Sequence, residues 1–372
     1  MLNVTQYGMS LLISSSRAGL LAATILLANM LFCGMHFAAF TAAQENSSEE
    51  QANIRPMIHP PLLKQGDTIM FVAPAGVLDR ERMLLAKIRL EERGYQVKLR
   101  EESFAVSGYL AGSDQRRAEE LMQAFKDPEV QAIFPGTGGY GTMRILDLLD
   151  YEVIRRNPKL FIGFSDITAL HAAFNRRAGL VTYHSPVTMW GLGSPEYLSE
   201  FSERYFFQAI DDCPDDQRAY TIEIPVEYLK SKAWGSGRAR GRLTGGNLSL
   251  VAALLGTPYA IDTQDAILMI EDVGEAPYRI DRMLRQLKLA GKLDTLRGAV
   301  LGHFTDTELR QEDTVKDERY SAAGVLKQYF EPLGIPVLAN FPIGHHRINC
   351  TLPMGGEVEI DAERGTLRVL AR

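Results

Sequence analysis

The chain has 372 residues, of which 46% are hydrophobic and 23% charged, a composition typical of a globular protein with room for two packed domains. Its formal net charge of −6 gives it no basic surface, which argues against nucleic acid as a partner. Three cysteines occur without a CxxC pattern or a Cys/His cluster, so neither a structural zinc site nor a disulfide framework is expected.

The first 43 residues predict an export segment that is not part of the fold. Arg17 is the only charged residue before a long apolar run, residues 18–43, which ends in small residues that resemble a signal-peptidase site. The run is also long enough to cross a bilayer if it stays uncleaved. Residues 44–63 predict a polar, acidic linker. We therefore expect a periplasmic or membrane-anchored extracytoplasmic protein, with residues 18–43 as the anchor if they are retained.

Strand and helix patterns alternate from Asp67 onward. The stretch DTIMFVAPAG is a continuous apolar run that ends in proline and glycine, as buried parallel strands do, whereas DQRRAEELMQAFKD has apolar residues at helical spacing. Similar pairs follow as far as the strand LVTYH. Repeated β-α units with short connections predict an N-terminal domain, residues 64–212, in which helices cover a parallel sheet.

The pattern changes in the middle of the chain. The acidic turn DDCPDD and the charged segment KSKAWGSGRARG indicate an inter-domain connection, which we assign to residues 213–241. Strand and helix patterns then resume, so residues 242–372 predict a second α/β domain. Its last segment alternates around Glu363–Gly365 and predicts a terminal β-hairpin.

A glycine-rich turn follows the third predicted strand. Gly136, Gly138 and Gly141 satisfy GxGxxG between a strand and a helix, and Asp166 ends the next strand, roughly where a ribose-binding carboxylate would lie. The motif belongs to the third β-α unit rather than the first, however. A tight turn whose backbone N–H groups face a cleft explains the same residues, so the turn alone leaves both interpretations open.

Ser165 lies at the next strand–helix junction, in the sequence GFSDI. This is half of the GxSxG nucleophile elbow, because Ile167 stands in place of the second glycine. The serine is either a nucleophile beside helix N–H groups that bind an oxyanion, or the N-cap of the helix. This stretch alone favours neither.

A nucleophilic serine needs a base and an acid that orients the base. His345 and His346 follow a buried strand in the loop FPIGHHRIN, the position that best suits a base, and His184 at the end of a first-domain strand is the alternative. Glu271 and Asp272 end the apolar strand AILMIEDV. A carboxylate there needs a partner, either a histidine or one of two arginines of the following helix, Arg279 and Arg282.

Five segments in sequence order resemble the LD-carboxypeptidase family, the muramoyltetrapeptide carboxypeptidases: TGGYGTMR, LFIGFSDITALH, GGNLSLVAALLGTP, ILMIEDVGEAPYRIDRML and FPIGHHRINCTLPMG. The resemblance covers both predicted domains, from Asp67 to Arg372. It implies a serine peptidase with a Ser-His-Glu triad split between the domains. Ser165 is then the nucleophile, Glu271 the acid and His345 the base.

The resemblance also implies an oxyanion hole made by the backbone N–H of Asp166 and that of Gly138 or Gly139. The GxGxxG turn then serves catalysis rather than a phosphate group. Thr137 stands where many members have arginine, which leaves a substrate contact from that side chain open. The resemblance implies no metal or organic cofactor, and it implies a homodimer.

The implied reaction is release of the terminal D-alanine from the tetrapeptide stem of peptidoglycan, so the expected partner is a peptidoglycan-derived peptide. One alternative is a microcin-immunity-type peptidase that cleaves a peptidyl-nucleotide with the same triad, with Trp190 or Trp234 stacking on the base. The other is a non-enzymatic exported binding protein, in which Ser165, Glu271 and His345 would lie apart.

Overall fold

The computed structural model describes residues 55–211, 218–224, 233–307 and 317–371. The predicted export segment lies outside the described residues. The described helices are α1 (Arg80–Glu92), α2 (Asp114–Lys126), α3 (Tyr151–Arg156), α4 (Thr168–Ala173), α5 (Glu200–Ile210), α6 (Leu248–Ala253), α7 (Pro277–Leu289) and α8 (Ala322–Phe330). None of these helices has both the length and the apolar character needed to cross a bilayer.

The described strands belong to two sheets. In chain order they are β1 (Thr68–Val72), β2 (Gln96–Lys98), β3 (Val130–Pro135), β4 (Leu160–Gly163), β5 (Thr182–His184), β6 (Tyr220–Ile222), β7 (Ala233–Trp234), β8 (Arg238–Asn247), β9 (Ile267–Val273), β10 (Gly298–Thr305), β11 (Val337–Ala339), β12 (Leu352–Met354), β13 (Glu357–Asp361) and β14 (Thr366–Val369).

The first sheet positions the serine and the glycine-rich turn. Strands β1 to β5 run parallel in the order β5-β4-β3-β1-β2, and β12 pairs antiparallel with β5 at the edge. The direction in which strands are added reverses between β1 and β3. Open α/β sheets bind ligands at such a point, beyond the carboxyl ends of the strands. The turn after β3 and Ser165 after β4 both lie at this edge.

The second sheet has a parallel centre and antiparallel flanks. Strands β8 to β11 run parallel in sequence order, with β13, β14 and β6 beyond β8 and β7 beyond β11. Strands β13 and β14 form the predicted hairpin and pair Val358 with Val369. The predicted fold class, two α/β domains with a terminal β-hairpin, is therefore confirmed.

Two segments lie across the predicted domain boundaries. Residues 238–242 of β8 pair antiparallel with β13 and residues 243–247 pair parallel with β9, so the strand runs through residue 241 without a break. At the other end of the first domain, Ile58 and Leu63 of the predicted linker form β-bridges with the body of the protein.

One apolar cluster includes side chains from both sheets and from the helices between them. Burying a leucine or phenylalanine side chain contributes about 1.5–3 kcal/mol, so a shared cluster favours a fixed arrangement of the two domains. Buried members of the cluster include Phe125, Phe161, Phe174, Leu268, Ile270, Leu284 and Phe330.

The two domains also meet next to the end of β8. Gly246 has a φ of 132°, and a Cβ at this position would lie 2.6 Å from Oγ1 of Thr168 on α4. The same hydroxyl accepts a hydrogen bond from the backbone N–H of Asn247 at 3.0 Å. This close approach brings the carboxyl ends of the second sheet's strands to the helix that follows Ser165.

Candidate active site

A sharp turn between β4 and α4 presents Ser165. Its φ of 62° lies in the left-handed region, where a non-glycine residue is strained, and such strain is concentrated at functional sites. A Cβ on Gly163 would lie 2.8 Å from the side chain of Ile167. The isoleucine at the second glycine position of the elbow therefore packs over the first glycine, and the turn forms without the full motif.

Three side chains from the two domains form one chain of hydrogen bonds. Ser165 Oγ lies 3.0 Å from Nε2 of His345, and Nδ1 of His345 lies 2.7 Å from Oε2 of Glu271. Because an ionised carboxylate can only accept a hydrogen bond, Nδ1 carries the hydrogen and Nε2 accepts from the serine hydroxyl. The structure thus brings together the three residues selected from the sequence, in a geometry that can remove the serine proton.

The loop that carries His345 is anchored from both sides. The ring of Phe164 packs against the imidazole, with 4.7 Å between the ring centroids. The Ser202 hydroxyl donates to the carbonyl of Arg347 at 3.0 Å and accepts from the N–H of Asn349 at 2.9 Å. The imidazole is therefore held in place by α5 and by the residue that precedes the serine.

Glu271 is completely buried at the end of β9. Besides the imidazole of His345, its carboxylate accepts the backbone N–H of that residue at 3.2 Å and Nδ2 of Asn247 at 3.3 Å. These bonds offset the cost of burying a charge. Arg279, which the sequence left open as a partner, pairs instead with Glu275 at 3.5 Å.

The surroundings of His345 raise the pKa of its imidazole above the ordinary value of 6.5. Burial, the largest single influence, lowers this pKa, but the hydrogen bond and the charge of Glu271 outweigh it, with smaller contributions from the charges of Asp272 and Asp306. The imidazole therefore takes up a proton more readily than it would in water, which suits a base that acts near neutral pH.

The glycine-rich turn after β3 lies directly against the serine. A Cβ on Gly138 would stand 3.2 Å from both Ser165 Oγ and the amide nitrogen of Asp166, so any side chain there would fill the space in front of the hydroxyl. The buried carboxylate of Asp166 accepts the N–H of Thr142 at 2.9 Å, which ties the turn to the serine. Gly138 and Gly139 line the same cleft as the serine, whereas Asp166 is not among the described lining residues.

Ser165 opens into a cleft of about 870 Å³. Among the described residues its lining contains two side chains of opposite fixed charge, Asp306 and Arg347. Trp190 also lines it and is 43% exposed, whereas Trp234 packs against the apolar cluster away from the cleft. No group of three or more histidine, cysteine, aspartate or glutamate residues within the described ranges could hold a metal ion.

The other candidate histidines do not contact the serine. His184 is fully buried beside Phe164, and burial holds its pKa well below 6.5. His346 packs against His303, with 4.2 Å between the ring centroids and the ring planes tilted by 33°. Of the two adjacent histidines in the loop, it is therefore His345 that bonds to Ser165.

Two residues of the site were not predicted from the sequence. Asn247 donates to Glu271 and, at 3.0 Å, to Asp272, so it holds both acidic residues at the end of β9. The only signal was an asparagine between a strand and a helix, and N-capping explains that equally well. Asp306 directly follows β10, and a polar residue beyond a parallel strand was its only signal.

The sequence patterns of one peptidase family match both halves of the chain. The LD-carboxypeptidase N-terminal domain matches residues 69–185, and the LD-carboxypeptidase C-terminal domain matches residues 240–360. Together they span more than half of the chain and include Ser165 in the first match and Glu271 and His345 in the second.

Individual relatives fall into two functional groups. A probable murein peptide carboxypeptidase of Bacillus subtilis (strain 168) is 39% identical over 82% of this chain and 92% of its own. The microcin C7 self-immunity protein of Escherichia coli is 27% identical over 84% of this chain and 96% of its own. Among solved structures, muramoyltetrapeptide carboxypeptidase from Oxalobacter formigenes matches with a TM-score of 0.69 and 29% identity, over 81% of this chain and 97% of its own.

We expect the His345 imidazole to titrate above pH 6.5 in the wild-type protein and below it in Glu271→Gln. The substitution removes the charge that raises the pKa but leaves the burial that lowers it. Histidine-selective NMR of the full-length protein measures both values, with His345→Gln to assign the signal. His303, whose pKa burial lowers to about 4, provides an internal control. Equal pKa values in the two proteins would contradict the assigned role of Glu271.

Proposed function

The chain belongs to the LD-carboxypeptidase family, and we propose that it is a serine carboxypeptidase that releases the terminal D-alanine from the tetrapeptide stem of peptidoglycan. The observation that carries the proposal is the hydrogen-bond chain from Ser165 through His345 to buried Glu271, at the wall of a peptide-sized cleft. The murein peptide carboxypeptidase relatives support the choice of substrate.

In the first half of the proposed reaction, Ser165 Oγ attacks the carbonyl carbon that joins the third stem residue to D-alanine. His345 Nε2 takes the serine proton, and Glu271 stabilises the resulting imidazolium. The negative oxygen would be held by the N–H of Asp166 and by that of Gly138 or Gly139. Each such donor contributes about 10²–10³-fold to turnover in serine peptidases.

In the second half, His345 returns its proton to the nitrogen of the departing D-alanine, and the tripeptide stays on Ser165 as an ester. The same imidazole then removes a proton from water, which attacks the ester, and returns that proton to Ser165 Oγ as the tripeptide leaves. The attack by Ser165 and the later attack by water both need a neutral imidazole. Activity is therefore lost as the pH falls through the raised pKa of His345. We expect the acid limb of the pH–rate profile to have its midpoint above pH 6.5.

A carboxypeptidase must also recognise the free carboxylate of the residue it removes. That carboxylate lies only three bonds from the carbon that the serine attacks. Arg347 lines the cleft two residues after His345, and it is the only arginine or lysine among the described lining residues. We assign it the role of pairing with the terminal carboxylate, which guanidinium binds with two parallel hydrogen bonds.

A second candidate function has one observation in its favour. The chain is similar to the microcin C7 self-immunity protein, the branch for which the family resemblance implied a peptidyl-nucleotide substrate. Trp190 offers an aromatic ring in the cleft on which a base could stack. The guanidinium of Arg82 already lies 4.1 Å from the centre of that ring, so one face is covered. The carboxypeptidase relative is the more similar of the two, and we place this function second.

We further propose that residues 1–43 export the chain, so that it meets peptidoglycan outside the cytoplasm. An apolar run with a single preceding positive charge and a small-residue end motivates this. Fractionation of cells that make the full chain should recover it outside the cytoplasm, and deletion of residues 1–50 should return it to the cytosolic fraction. Equal distribution of the two proteins would rule out the export role.

Ser165→Ala should lower turnover of a tetrapeptide stem by about four to six orders of magnitude, because the proposed triad acts as a unit. His345→Ala should cost nearly as much, and His346→Ala, which alters the adjacent ring, far less. Mass spectrometry of the wild-type reaction should detect free D-alanine and the tripeptide. Full activity in Ser165→Ala would refute the mechanism. Cleavage of a peptidyl-nucleotide without release of D-alanine would favour the second candidate function.

Arg347→Ala should raise KM for the tetrapeptide about 10–100-fold and change kcat little, since a hydrogen bond to a charged group is worth about 1.5–3 kcal/mol. A substrate whose D-alanine is amidated should be affected much less, because it lacks the charge. Arg368→Ala, at an exposed position on β14, is the matched control. Equal losses of activity on the free-acid peptide and the amidated peptide would show that Arg347 does not bind the terminal carboxylate.

A further inference from the structure

Asp306 is the carboxylate in the described lining of the cleft, and no element of the proposed reaction uses it. It directly follows β10, which pairs with β9, the strand that carries Glu271. The preceding residue, Thr305, pairs with Val273 of β9 and donates its hydroxyl to the carbonyl of His345 at 3.3 Å. The negative charge of Asp306 also contributes to the raised pKa of His345. Asp306 therefore lies close to the proposed base.

The backbone of Asp306 is held in an unusual conformation. Its φ of 53° is in the left-handed region, as is the φ of Ser165 in the same cleft. Asp265 has the same φ of 53°, but its carboxylate pairs with Arg297 at 3.3 Å. Asp306 has no hydrogen bond or ion pair to any described residue. An exposed carboxylate that lines a cleft and has no cation partner among the described residues is suited to bind a cation of the substrate.

The chemistry of the stem peptide supplies such a cation. The third stem residue, which carries the attacked carbonyl, is a diamino acid whose side chain ends in an ammonium group when it is not cross-linked. With the attacked carbon at Ser165, the side chain of this residue can extend along the cleft wall that carries His345. The carboxylate of Asp306 is the negative group on that part of the described wall.

We propose that Asp306 binds the free side-chain ammonium of the third stem residue. The inference rests on the proposed function and adds a specificity to it. In cross-linked peptidoglycan this amine forms an amide, which is neutral and has one hydrogen left to donate. The enzyme therefore selects stems that are not cross-linked through their third residue.

The test uses full-length protein and tetrapeptides with lysine or meso-diaminopimelate at the third position. Each is supplied with the side-chain amine free or acetylated, and a norleucine peptide separates loss of charge from added bulk. The variant is Asp306→Asn, because asparagine tolerates the left-handed backbone and has nearly the same size. Asp294→Asn, at an exposed position outside the cleft lining, is the matched control.

We expect wild-type protein and Asp294→Asn to have about 10–100-fold higher kcat/KM for the free amine than for either neutral peptide. In Asp306→Asn the ratio should fall to within about threefold, through loss of activity on the free amine. A structural role would lower activity on all peptides and leave the ratio unchanged, which would overturn the inference. A wild-type ratio near one would also overturn it. If the wild-type protein released no D-alanine from any peptide, the proposed function itself would fail.

Discussion

The hydrogen bond between His345 and the buried carboxylate of Glu271 is the interaction on which the rest of the site depends. At 2.7 Å, with Glu271 fully buried, it places a negative charge where water cannot solvate it. Such a charge is tolerated only when donors surround it, and the imidazole, a backbone N–H and Asn247 supply them. The same bond fixes the tautomer that leaves Nε2 facing Ser165.

The proposed catalytic residues come from both domains, so their geometry depends on how the domains pack. The serine and the glycine-rich turn belong to the first sheet, while the acid and the histidine loop belong to the second. A shared apolar cluster and the close approach of Gly246 to Thr168 keep the two carboxyl edges together. The 3.0 Å contact between Ser165 and His345 therefore relies on packing between domains as much as on the residues themselves.

The cleft beside these catalytic residues carries two side chains of opposite charge. Arg347 follows the proposed base by two residues in the sequence, and Asp306 lies near it in space. Neither has an ion-pair partner among the described residues. Opposite charges in one cleft suit a zwitterionic peptide, with a terminal carboxylate on the leaving residue and an ammonium group on the residue before it. Apolar and aromatic lining such as Trp190 provides contact area but does not distinguish these groups.

The sequence by itself determined the fold class, because the period of the apolar residues and the short connections depend only on local order along the chain. It also selected Ser165, Glu271 and His345, since five segments in one order resemble a single family. It could not decide between nucleophile and N-cap at Ser165, or between histidine and arginine as the partner of Glu271. Those choices depend on distances between residues far apart in the sequence, 74 positions for Glu271 and His345 and 180 for Ser165 and His345. Only the tertiary structure sets such distances, because they arise from packing the strands and helices of the two domains against each other.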